Sequence, residues 1–164
     1  MLIGIISDTH DRVDYIMKAI EIFKREKVEA LIHCGDYVAP FALVPFQKLD
    51  CPFYGVFGNN DGEKKGLLKK AESLGELKNP PHIFKLGEKS FLVNHSPLSE
   101  EDIRRRESSI DYFLCGHTHE AEEKMVGSVK FINPGEACGW VNGKATLGLL
   151  DTNTDLFNII SLDN

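Results

Sequence analysis

Five places in this 164-residue chain carry side chains suited to holding a metal: Asp8 with His10, Asp36, Asn59 with Asn60 and Asp61, His95, and His117 with His119. Asp8 and His10 are two apart, so in an extended segment both point to one side and can grip one ion. His117 and His119 repeat that spacing around Thr118. Asp36 follows a glycine and has two oxygens, enough to bridge two ions. Asn59 offers a neutral carbonyl oxygen, and His95 a further imidazole. These seven side chains are too many for one tetrahedral ion, which takes four ligands. Shared over two ions through Asp36, they suit a binuclear centre with room for water. Two ions about 3.5–4 Å apart can bind a phosphate between them and generate hydroxide as nucleophile. Two divalent ions outweigh Asp8, Asp36 and such a hydroxide by about one positive charge, which fits a phosphodiester monoanion and also suits a phosphomonoester. Four imidazoles with carboxylate and amide oxygens suit manganese, iron, zinc, cobalt or nickel, whereas calcium and magnesium prefer oxygen alone. No cysteine is among the candidate ligands.

Taken singly, the clusters have ordinary readings. Asp8 and His10 could sit in a loop and a helix cap, Asp36 could cap a turn, and Asn59-Asn60-Asp61-Gly62 could be a tight turn. What joins them is position. Each follows a short apolar run, at 3–7, 31–35, 53–58, 91–94 and 112–116. Side chains just past the carboxyl ends of neighbouring strands converge on one crevice.

The elements that must do this positioning follow from the pattern. Residues 2–7, rich in isoleucine, predict a doubly buried strand. Val13, Ile16, Met17, Ile20 and Phe23 repeat at helical spacing, with Asp11 as the cap, Asp14 in the first turn and the polar stretch 24–27 at the end. A strand at 30–34 leads to a helix at 40–48, where Pro40 suits the first turn. A strand at 53–57 leads to a lysine-rich helix at 63–74. Strands alternating with helices imply parallel pairing and an α/β architecture. After a break at Asn79-Pro80-Pro81 the pattern changes. Strands at 82–86 and 90–94 flank a Gly87-Glu88 turn, and Ser99 caps a short helix over 99–107. Beyond 110 the chain reads as mostly β, with Asn142-Gly143 a hairpin signal and 151–155 a turn between strands at 145–150 and 156–160. The expectation is a single domain over 1–164, two packed sheets with helices outside.

Bulk properties narrow the function. A net charge of −6 argues against a general nucleic-acid binder, which carries a basic face. The four cysteines form no C-x-x-C pair; Cys34 and Cys115 read as buried, reduced thiols. No apolar run approaches the ~20 residues of a membrane span, and the first is too short for a signal-peptide core. The expected location is the cytoplasm. His33, inside a strand, reads as a satisfied core histidine, and His82 as structural or exposed. Lys64, Lys65, Lys69 and Lys70 read as a solvated helix face. Arg104 to Arg106 answer a helix dipole. Trp140, expected to pack at an edge or interface, is assigned no chemistry.

In order and spacing, Asp8-Thr9-His10, Gly35-Asp36, Gly58-Asn59-Asn60-Asp61, Asn94-His95 and Gly116-His117-Thr118-His119 resemble the calcineurin-like metallophosphoesterases. The Asn133-Pro134-Gly135 turn and the compactness are most similar to the small prokaryotic phosphodiesterase branch, the YfcE-like proteins. The resemblance covers residues 1 to about 150. It implies a four-layer α/β/β/α sandwich of two mixed sheets and a pair of divalent transition-metal ions, often Mn2+, with Ni2+, Fe2+, Co2+ or Zn2+ as alternatives. It places Asp8, His10, Asp36 and His119 on one ion, and Asp36, Asn59, His95 and His117 on the other, with Asp36 bridging. The reaction implied is hydrolysis of a small phosphodiester by hydroxide held between the ions.

Two departures stand out. Many members have a histidine that assists the leaving group where this chain has Asn60, and an amide cannot act as a general acid. Asn60 is therefore read as a substrate contact, and esters whose leaving group needs no proton, such as aryl phosphodiesters, are the expected substrates. The ligand histidine is usually followed by Gly-His; here His95 is followed by Ser96-Pro97. The competing functions are a phosphomonoesterase or nuclease, and a scaffold resembling the eukaryotic retromer subunit of this fold, which works mainly through protein contacts. The acidic balance makes a long nucleic acid a poor substrate. A homo-oligomer remains open.

Overall fold

The isoleucine-rich start forms β1 (Leu2–Ile6) in a computed structural model that describes residues 1–163. β1 lies inside a six-stranded sheet with β2 (Ala30–His33), β3 (Phe53–Val56), β4 (Gly75–Lys78), β10 (Thr146–Asp151) and β11 (Leu156–Ser161). The order is β11-β10-β1-β2-β3-β4. β1 to β4 run parallel, and the last two strands join antiparallel. A second sheet holds β5 (His82–Leu86), β6 (Lys89–Val93), β7 (Tyr112–Leu114), β8 (Ala121–Val126) and β9 (Val129–Pro134), in the order β5-β6-β7-β9-β8. Its middle strands β6, β7 and β9 are parallel, with antiparallel β5 and β8 at the edges.

Side-chain alternation along the strands builds the layers. Ile3 and Ile5 of β1 face Phe91, Val93, Tyr112, Leu114 and Ile132 of the second sheet. Ile6, one step out of phase, faces α1 (Val13–Glu26), which buries Ile16, Ile20 and Phe23. The 3₁₀ helix Pro40–Lys48 and α2 (Lys64–Ala71) share that outer layer through Phe46 and Leu67. On the far side, Leu92, Phe113 and Phe131 pack against Ile103 of α3 (Glu100–Arg104). The result is the α/β/β/α sandwich of two mixed sheets. Gly4 is needed at the first interface: a Cβ there would lie 2.7 Å from the Phe23 ring. No helix among the described residues is long and apolar enough to cross a membrane.

Several local expectations are corrected. Asp11 does not cap α1; the N-cap is Arg12, without a side-chain bond. Asp11 has φ 58°, outside the extended region a cap residue occupies, and its Oδ1 instead accepts from the Ala39 N–H. Residues 40–48 wind as 3₁₀ rather than α, and Pro45 lies inside that stretch with no N–H to give an α ladder. α2 ends at Ala71, and β4 follows as an edge strand with only Leu77 buried, too faint a pattern to read. α3 stops at Arg104, so only that arginine lies in its last turn. Asn142-Gly143 makes no hairpin, because β9 ends at Pro134 and β10 begins at Thr146; the intervening chain wraps a buried carboxylate, Glu136. The turn at 151–155, the Gly87-Glu88 hairpin and the Ser99 cap fall where expected. Lys130, on β9, pairs with Glu123 and Asp155.

Candidate metal centre

Beyond their last paired residues, β1 and β2 stay zipped together. Asp8 N–H donates to Gly35 O, His10 N–H to Asp36 O, and Asp11 N–H to Tyr37 O. Asp8 (φ 52°), His10 (φ 40°), Asp36 (φ 61°), His117 (φ 67°) and His119 (φ 63°) all have left-handed backbone. Each such residue costs of order 1–3 kcal/mol, and such conformations cluster where side chains are aimed for function. The extended geometry expected for Asp8-Thr9-His10 is therefore replaced by a coiled loop, braced from beneath. His33 Nδ1 accepts from the Gly35 N–H, which leaves Nε2–H for Thr9 Oγ1 at 3.2 Å. Burial drives the pKa of His33 far down, so it is the neutral core histidine the strand pattern implied.

The five loops bring all seven candidate ligands together in two groups. In the first, Asp8 Oδ1 lies 3.8 Å from His10 Nε2 and 3.5 Å from His119 Nε2. In the second, Asn59 Oδ1 lies 2.9 Å from both His95 Nε2 and His117 Nδ1. Asp36 Oδ2 stands between them, 3.6 Å from His10 Nε2 and 3.4 Å from His95 Nε2. His117 and His119 do not act on one point: a left-handed turn sends one to each group.

Asn60 clamps the shared carboxylate. Its backbone N–H donates to Asp36 Oδ1 at 2.8 Å and its amide to Oδ2 at 2.7 Å. Burial works against ionising Asp36, but His95 and the two Asn60 donors outweigh it and hold the carboxyl well below its usual range. The Asp8 carboxylate holds His10 above its ordinary pKa, at an ion-pair rather than hydrogen-bond distance. His95 is lowered by burial and raised more by Asp36. These acids thus favour positive charge at the point where they meet. Asp8 Oδ1 and His10 Nε2 have no hydrogen-bond partner although both atoms are buried, a state that costs of order 1–3 kcal/mol per group or more. A divalent cation fits this donor set, since it would satisfy both atoms.

A further shell aims the ligands. His95 Nδ1 donates to Cys34 O at 2.8 Å, which frees Nε2 for the centre. His119 Nδ1 donates to Glu136 Oε2 at 2.8 Å with the same effect. Burial opposes ionisation of Glu136, yet His119, the backbone N–H groups of Asn142 and Val141 and the Cys138 thiol pull its pKa down to about 2. Asp61, also buried, accepts from the N–H groups of Asp36, Val38 and Gly58 and so pins two loops. Asn133 donates to Gly116 O and Thr118 Oγ1, setting the turn that carries both histidines. Cys138 Sγ lies within 4.8 Å of ring nitrogens of His10 and His119, but burial lifts its pKa to about 12 and its proton goes to Glu136. It stays a thiol. All four cysteines are free. Asp61 could have been suspected from its place in the asparagine cluster; no pattern in the sequence singled out Glu136.

The calcineurin-like phosphoesterase superfamily domain matches residues 1–155. The chain belongs to that superfamily. It is 38% identical over 166 residues to a phosphodiesterase of Methanocaldococcus jannaschii, covering 99% of this chain and all of that one. A solved structure described as a novel archaeal phosphodiesterase superposes with TM-score 0.89 at 37% identity, over 98% of this chain and 99% of the other. Vps29 of Entamoeba histolytica, as a single mutant, shares the fold at TM-score 0.72 and 18% identity, over 98% of this chain and 99% of its own.

Proposed function

We propose that this calcineurin-like protein is a phosphodiesterase that works on small phosphodiesters with two divalent metal ions. Asp8, His10, Asp36 and His119 hold one ion and Asp36, Asn59, His95 and His117 the other; Mn2+ is the first choice, with Ni2+, Fe2+, Co2+ or Zn2+ as alternatives. The single observation that carries this reading is Asp36 Oδ2, poised between the His10 and His95 imidazoles at 3.6 and 3.4 Å. When bound, two such ions acidify water to a nucleophile and neutralise charge on the phosphoryl oxygens. The chain's own residues fix the geometry. Asn60 keeps Asp36 oriented while its exposed side chain stands at the mouth, where it touches substrate without donating a proton. Phosphodiesters with a good leaving group are turned over best, because general-acid help is worth typically 10²–10⁴-fold and the Asn60 amide cannot supply it. The four free thiols suit a reducing compartment, and the cytoplasm is the proposed location.

Metal content together with an activity panel tests the proposal. The purified protein should carry about two equivalents of transition metal. It should hydrolyse bis(4-nitrophenyl) phosphate faster than 4-nitrophenyl phosphate. A faster monoester would make it a phosphomonoesterase. Two ions with no hydrolysis of either ester would favour the scaffold reading. Asp36→Asn should lose both metal and activity.

A further inference from the structure

Trp140, the one tryptophan of the chain, stands at the rim of the metal centre with 62% of its surface exposed. Its ring lies 6.3 Å from that of His10, tilted by 33°. Val141 beside it is 67% exposed. Apolar side chains scattered singly on a surface need no explanation, but here an indole and its apolar neighbour stand together beside the metal centre. The backbone that carries these two side chains is pinned. The Trp140, Val141 and Asn142 N–H groups all donate to the buried Glu136 carboxylate. Cys138 N–H donates to Asp8 O, and the Asn142 amide donates to His119 O. The same carboxylate that aims His119 therefore also holds the backbone from which the indole projects beside His10.

We infer that Trp140 is a stacking platform for a planar aromatic group, such as a nucleobase, on the substrate phosphodiester. This rests on the phosphodiesterase reading and narrows it: a substrate whose phosphate sits at the Asp36 centre would carry its base over the indole. Indole–base stacking is tolerant of base identity, so the platform selects nucleotide-like diesters as a class rather than one base. A second protein seated on Trp140 is less well supported, because it would cover His10 and the approach to the centre along with the indole.

Because Trp140 is unique, its fluorescence reports the platform directly. Thymidine 5′-phosphate, titrated into manganese-loaded protein, should quench that emission and bind about tenfold tighter than 2-deoxyribose 5-phosphate, which has no base. Trp140→Ala, followed by calorimetry, should bring the two affinities together, and Trp140→Phe should keep most of the preference. Equal affinities in the unmodified protein would overturn the platform alone. So would a preference that survives Trp140→Ala, or a dimer that dissociates in that variant. If neither phosphate binds while bis(4-nitrophenyl) phosphate is still hydrolysed, the platform falls and the phosphodiesterase reading stands; if that diester is not hydrolysed either, both fail.

Discussion

At the scale of single residues, the least expected participant is Glu136. A carboxylate behind a metal-binding histidine fixes the ring and raises its basicity, and its loss typically costs 10–100-fold in metal affinity. Glu136→Gln keeps the shape but withdraws the charge from His119 Nδ1 and from three backbone N–H groups. Competition with a chelator should show Mn2+ held about 10–100-fold less tightly; an unchanged affinity would leave Glu136 a loop anchor only. His33 makes a second, separable prediction. Its pKa is low in the folded protein and about 6.5 when unfolded, so below pH 6.5 the unfolded chain binds more protons. Stability from this residue is present above pH 6.5 and falls as the pH drops below it, by up to about 1.4 kcal/mol per pH unit. His10 and His95, raised instead, contribute stability that is lost as pH rises, and they do so with or without His33. In urea unfolding of the metal-free protein between pH 7 and 5, His33→Asn should remove the acid-side decline attributable to His33. Parallel pH curves for the two proteins would count against it.

At the scale of elements, the centre is a set of strand ends held at fixed spacing, and glycines decide whether the ends can meet. A Cβ on Gly116 would land on Ser7 Oγ and come within 2.5 Å of Asp8 Oδ2, forcing the loop after β7 away from the loop after β1. One on Gly4 would strike the Phe23 ring at 2.7 Å, in the layer between β1 and α1. Overpacking of either kind costs typically 1–3 kcal/mol. The consequences should differ. Gly116→Ala should lose metal on dialysis, whereas Gly4→Ala should melt earlier and keep its metal content. Strand positions and the order of elements were legible because short apolar runs that stop at or just before a Gly or Asp mark them, as at Ile3–Ser7 before Asp8 and Tyr112–Gly116. β4 was not, because an edge strand buries one residue in four. The 136–144 loop was misread as a hairpin because Asn142-Gly143 is a local signal, whereas the chain's path there is set by a carboxylate that satisfies its N–H groups from inside.

For the molecule as a whole, two sheets and five loops must come together before any ion can bind, so metal binding and folding are linked. Five left-handed candidate ligands and a buried carboxylate oxygen without a hydrogen-bond partner carry a cost that a bound ion would offset. Mn2+ at a free concentration of 100 Kd should raise unfolding stability by about 2.7 kcal/mol, and EDTA should reverse it. A melting temperature indifferent to both would mean that the centre takes up no ion. By itself the sequence determined the seven candidate ligands, their alternation with strands and the α/β layering, because these depend on residue type and on periodicity within one segment. Which histidine faces which group, and the place of Asp36 between them, followed from the family resemblance and not from spacing; the tertiary structure supplies their distances and alone decided that Glu136 ties His119 to the Trp140 rim. Those relations join residues from different strand ends, and their distances are set by how the sheets pack rather than by spacing along the chain.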